Sequence, residues 1–123
     1  MGYLMKLVRQ PKESSLCGQA CIATVCGVTL EEAIMLTRKR GGTRTLHLKR
    51  ALHAMSIPHG NRRVRGFPKE GSAILWFQHS DGDAHWVVWH NNKYYDPAAG
   101  VFRNVPKHLH EARVTSHLPI KCD

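Results

Sequence analysis

The chain has 123 residues, the size of one domain; split in two, neither half would bury a core without staples. Hydrophobic residues make up 42% and charged residues 22%, a composition that excludes a disordered chain. Lys plus Arg number 18 against 9 Asp plus Glu, so the formal net charge of +9 steers the chain toward acidic partners.

The apolar runs, such as Ile22 to Val25 and Ala73 to Phe77, fall far short of the ~20 residues a membrane span requires. Met1 to Val8 is interrupted by Arg9, Gln10, Pro11 and Lys12 before a secretory apolar core forms, so no signal peptide and a cytoplasmic location are expected. Cys17, Cys21, Cys26 and Cys122 contain no CxxC pair, which argues against a zinc ribbon and fits reduced thiols.

The N-terminal half has helical spacing. Ser14-Ser15 is expected to cap a helix over Cys17 to Cys26, apolar on most sides and stopped by Gly27. Thr29 and Glu32 have the spacing of a capping box, and Leu30, Ala33, Ile34 and Leu36 give the second helix its apolar stripe. Gly41-Gly42 is expected to end it. Thr43 or Thr45 then caps a third helix carrying Leu46, Leu48, Ala51, Leu52 and Met55, and Ser56 to Gly60 breaks the pattern.

From there the period becomes two. Ser72 to Phe77 predicts a central strand, and His79 to Asp83 a polar loop. His85 to His90 and Lys93 to Asp96 predict a hairpin around the two-residue turn Asn91-Asn92. Val101 to Val105 and Arg113 to Leu118 complete the strands. Helices first and antiparallel strands after make an α+β domain spanning 1–123.

Cys17 stands at a helix start, where free amides and the macrodipole favour a thiolate, the form that attacks carbonyls. Gly18 leaves room beside the sulfur. His85 opens an apolar strand directly after a polar loop, a place from which a general base reaches both a nucleophile and solvent. Asp96 ends the paired strand and can hold that imidazole in one tautomer. With a two-residue turn, His90 pairs with Lys93, Val88 with Tyr95 and Val87 with Asp96, which puts His85 and Asp96 on one face. Gln10, just upstream of the nucleophile, can join the Cys17 amide in holding an oxyanion. His108 and His110 are two apart with no nearby thiol and read as an exposed polar segment; no metal or cofactor is expected.

Gln10 followed by Cys17-Gly-Gln-Ala-Cys, Gly42-Thr43 before a leucine-rich helix, His85-Trp-Val-Val, and Tyr95-Asp96-Pro97 with Gly100 together resemble the papain-like cysteine peptidases. Their bacteriocin-processing, double-glycine-leader branch is the nearest likeness, covering roughly Gln10 to Gly100. The resemblance implies a papain-like fold with Cys17 as nucleophile, His85 as base and then acid, Asp96 as orienter and Gln10 as oxyanion donor. The glutamine stands seven residues before the cysteine, where that family usually has six, and no transporter membrane segments accompany it. A free-standing peptidase acting on peptide or isopeptide bonds is therefore expected.

Two other outcomes stand beside it. A transglutaminase or deamidase resolves the acyl-enzyme differently with the same triad. A papain-like binding module would instead use its basic clusters, Arg38-Lys39-Arg40 with Arg44, Lys49 and Arg50, and Arg62-Arg63-Val64-Arg65, on nucleic acid or an acidic protein. Neither cluster has the interleaved aromatics of a single-strand binding face.

Overall fold

The computed structural model describes residues 4–122; Met1 to Tyr3 and Asp123, the ends of the expected 1–123 unit and the start of the segment Met1 to Val8, lie outside the described residues. Three helices come first: α1 (Cys17–Cys26), α2 (Leu30–Thr37) and α3 (Thr45–Ala54). Six strands follow: β1 (Val64–Arg65), β2 (Ser72–Gln78), β3 (Ala84–His90), β4 (Lys93–Asp96), β5 (Gly100–Phe102) and β6 (Arg113–Ile120), with a short 3-10 turn at Lys107–Leu109 before the last. All pair antiparallel in one sheet of order β1-β6-β2-β3-β4-β5. No single helix among the described residues is long and apolar enough to cross a membrane.

Several ends differ from the sequence expectations. No serine caps α1: its N-cap is Leu16, without a side-chain cap, while the Ser14 hydroxyl accepts from the Leu16 amide at 3.4 Å. Gly27 does end α1, at φ 70°, and the Thr29–Glu32 capping box forms. Gly41-Gly42 does not end α2; Arg38 does, in the left-handed region at φ 56°, three residues earlier. Neither threonine caps α3; Arg44 occupies that position, and its amide donates to His47 Nδ1 at 2.8 Å. Thr43 is thereby left to the cleft described below.

The hairpin turn is as expected. Asn91 and Asn92 both have positive φ, 52° and 61°, the combination of a type I′ turn. His90 pairs with Lys93, Trp89 with Tyr94 and Val88 with Tyr95. That register sets which side chains share a face. Ile74, Trp86, Val88 and Tyr95 turn toward the helices and join Ile22, Val25, Leu48 and Leu52 in the larger core. Leu75, Phe77, Val87 and Tyr94 turn to the opposite face, where Leu109 covers them with Val105 and Ala112 beside it. Residues 105–112 therefore lie over the second face.

Candidate active site

At the mouth of β3, where the sheet meets the start of α1, an open cleft of about 460 Å³ brings together Gln10, Cys17, His85 and His108. Each is delivered by a different element. Cys17 is the first residue of α1. Since Leu16 supplies no side-chain cap, the amides of the first turn stay free beside the sulfur. Cys21, one turn on, is fully buried, and burial pushes its thiol well above the ordinary value, with Cys17 and Asp96 adding to the rise. Cys26 is raised to about 11, by burial and then by Cys122. None of the four cysteines is in a disulfide.

Two contacts shape the cleft wall opposite Cys17. Gln19 is fully buried and donates from Nε2 to the carbonyls of Lys39 and Gly41, at 2.7 and 2.6 Å. This ties α1 to the α2–α3 connection and sets Thr43 against Gly18. The approach is so close that a Cβ on Gly18 would stand 1.8 Å from Thr43 Oγ1. Thr43 Oγ1 and Trp86 Nε1 are buried with no protein partner among the described residues, and both residues line the cleft. Sequence reasoning missed Gln19 and Thr43, because neither role is visible without the fold.

His85 and Asp96 meet as the hairpin register requires. Asp96 is fully buried, and its Oδ1 accepts from His85 Nε2 at 2.7 Å and from the Ala98 amide at 2.9 Å. A carboxylate only accepts, so the His85 proton on this side is on Nε2, which leaves Nδ1 for the thiol. Burial alone would lower the His85 pKa. The hydrogen bonds to Asp96 and Cys17, with the charges of both, outweigh it and raise the pKa to about 9. Asp96 moves the other way: burial would raise it, but His85, His108 and the Ala98 amide hold it below the usual carboxylate range.

Gln10 lines the same cleft. Its backbone amide donates to the Pro97 carbonyl at 3.0 Å, tying the N-terminal segment to the turn that follows Asp96. Its Nε2 donates to the Ser14 carbonyl at 3.0 Å and touches the Ser14 hydroxyl at 3.4 Å. The first bond uses one N–H; the second N–H has only the longer contact.

Scans of the chain against protein-family models and against curated proteins find no match. A comparison with solved structures does. The crystal structure of a double-glycine motif protease from an AMS/PCAT transporter, in complex with the leader peptide, aligns with a TM-score of 0.67 at 23% identity, covering 99% of this chain and 94% of that one. The chain has the fold of a double-glycine motif protease. Within that double-glycine protease fold, three helices on an antiparallel sheet, α1 carries Cys17 and the β3–β4 hairpin carries His85 and Asp96.

His108 adds to the sequence reading. It is exposed, as expected, yet its Nε2 donates to Asp96 Oδ2 at 2.6 Å, and its ring stands edge-on to His85 with centroids 5.5 Å apart. His110, also exposed, donates to the Val105 carbonyl at 3.0 Å. Leu109, buried with Val105 and Ala112 beside it, presses the segment onto the sheet, and no local spacing in the sequence marks His108 as its outward neighbour. The ring nitrogens of His85 and His108 and the Asp96 carboxylate lie within 4.8 Å of one another, and their mutual hydrogen bonds account for that closeness without a metal.

Proposed function

We propose that the chain is a cysteine peptidase with Cys17 as nucleophile, His85 as acid and base, Asp96 as orienter and Gln10 as oxyanion donor. One observation carries the reading: a helix-start cysteine without a side-chain cap sits against a histidine whose pKa is raised to about 9 by a buried carboxylate and by that cysteine. Such a histidine is an imidazolium at neutral pH, and a thiolate is its natural partner.

The chemistry then runs as follows. The Cys17 thiolate attacks the carbonyl carbon of a peptide bond. The charge that develops on the carbonyl oxygen is met by the Cys17 amide and by the second N–H of Gln10 Nε2. His85 gives its Nδ1 proton to the leaving amine as the carbon–nitrogen bond breaks. Water attacks the resulting thioester, His85 takes its proton, and the acid leaves with the thiolate restored. Asp96 stays ionised throughout and holds the ring.

The fold neighbour binds a leader peptide, which supports a peptide substrate here. The basic clusters give less support to a nucleic-acid reading. Arg40 is paired with Glu31 at 2.8 Å, and the Arg63 guanidinium lies over Trp76 and Trp86, at 5.4 and 5.8 Å from the ring centroids. The test is a peptide-library digest read by mass spectrometry. The wild-type chain cuts a defined set of bonds and Cys17→Ala cuts none. Equal cutting by both chains overturns the proposal, and transfer to an added amine without hydrolysis favours the transglutaminase outcome.

A further inference from the structure

Asp96 is an anion with no exposed surface, directly behind His85, Ala98 and His108 in the lining of an open cleft. A carboxylate in that position either reaches water or is covered. Its Oδ1 already accepts from His85 and the Ala98 amide, while Oδ2 accepts from one side chain, His108. His108 is itself 44% exposed, so its ring stands between that oxygen and solvent. It is held there by its neighbour Leu109, which is buried in the core on the second face of the sheet.

We infer that His108 is a positioning residue of the same site: it fixes Asp96 Oδ2 and seals the carboxylate from water, so that Asp96 keeps its full hold on His85. The inference rests on the Cys17–His85–Asp96 reading for its catalytic consequence, but not for its geometry. Without the His108 ring, water reaches Oδ2. The carboxylate is then solvated and screened and free to turn about its Cβ–Cγ bond, and the His85 imidazolium loses stabilisation. The groups facing His108 are Asp96 on β4 and His85 on β3, with Cys17 of α1 beyond His85. His79 and Asp83 of the β2–β3 loop line the same cleft, and Arg9 reaches the Ala98 carbonyl at 3.1 Å.

The experiment compares His108→Ala and His108→Gln with the wild-type chain by two readouts. The first is kcat and KM on a cleaved peptide. The second needs no turnover: the rate at which iodoacetate modifies Cys17, followed by mass spectrometry against pH. Iodoacetate is an anion that reacts with the thiolate and is drawn by the imidazolium, so its rate falls on the alkaline side as His85 loses its proton. His108→Ala is expected to lower kcat roughly tenfold or more with KM within about twofold, the signature of a misplaced catalytic group. It is also expected to move the alkaline limb down by about half a pH unit or more. His108→Gln, whose amide keeps a neutral N–H near the Nε2 position, restores both. If His108→Ala does not fold, His108→Asn, whose amide stops short of Oδ2, takes its place. An unmoved limb overturns the inference, as does a loss of kcat that glutamine does not restore. A wild-type chain that turns over no peptide, yet shows the limb and its shift, refutes the peptidase reading and leaves His108 as the keeper of Asp96.

Discussion

Gln10 reaches the cleft from seven positions before Cys17. The intervening segment folds back in the turn from Pro11 to Ser14, closed by the Ser14 amide on the Pro11 carbonyl at 3.3 Å, with Glu13 in the left-handed region at φ 56°. The side-chain amide thus lines the cleft that Cys17 also lines, held by Ser14. If its second N–H meets the oxyanion, Gln10→Ala lowers kcat by about 10²–10³-fold with little loss of stability. Steady-state kinetics beside a denaturation curve decide this. An unchanged kcat would assign the second donor to another group. At this scale the sequence was legible in placement: Cys17 at the start of α1 and the meeting of His85 with Asp96 that the hairpin register dictates. It was silent on Thr43 and Gln19, whose roles are created by the approach of chain segments far apart in sequence.

Among the elements, α1 carries the tightest constraint. Its first turn must leave amides free for the thiol and must also accept the α2–α3 connection at contact distance. Gly18 meets both demands. Gly18→Ala would set a methyl group 1.8 Å from Thr43 Oγ1 and 3.2 Å from Trp86 Cδ1, so the connection has to move. The expected cost is ~1–3 kcal/mol, the range of overpacking in a well-filled core. Thr43→Ala in the same chain removes the closest atom and should recover most of that loss. Thermal denaturation of the single and double variants tests it, and full stability in Gly18→Ala alone would contradict the packing. Helix cores and the hairpin register were readable because apolar period and Asn-Asn turn chemistry act locally. Helix ends were less so. Arg38 and Arg44, poor residues for their cap positions, hold them because the buried Gln19 side chain fixes the Lys39 and Gly41 carbonyls between them.

For the molecule as a whole, the charge pair in the cleft couples to folding. The folded-state pKa of His85, about 9, lies above the unfolded value near ~6.5. Its stabilisation is therefore complete below pH ~6.5 and is lost as the pH rises toward the folded value. Asp96 is depressed, so its contribution is present above ~3.9 and lost as the pH falls through its folded value. The alkaline loss is best measured in Cys17→Ala, where no thiol proton at that position enters the balance and the bond to Asp96 still raises His85. Urea denaturation of that chain should give stability that declines as the pH rises above ~6.5, and a flat or rising profile would contradict the buried ion pair. His108 lay beyond local reading for a reason that belongs to this scale. Only the folding of residues 105–112 across the second face carries it to Asp96. The central claim, an activated thiol at Cys17, is tested most directly by labelling the native protein with iodoacetamide and locating the product on each cysteine across pH. Cys17 is expected to react well ahead of Cys21, Cys26 and Cys122, and His85→Ala to abolish that lead. A Cys17 that reacts no faster than the other three would contradict it.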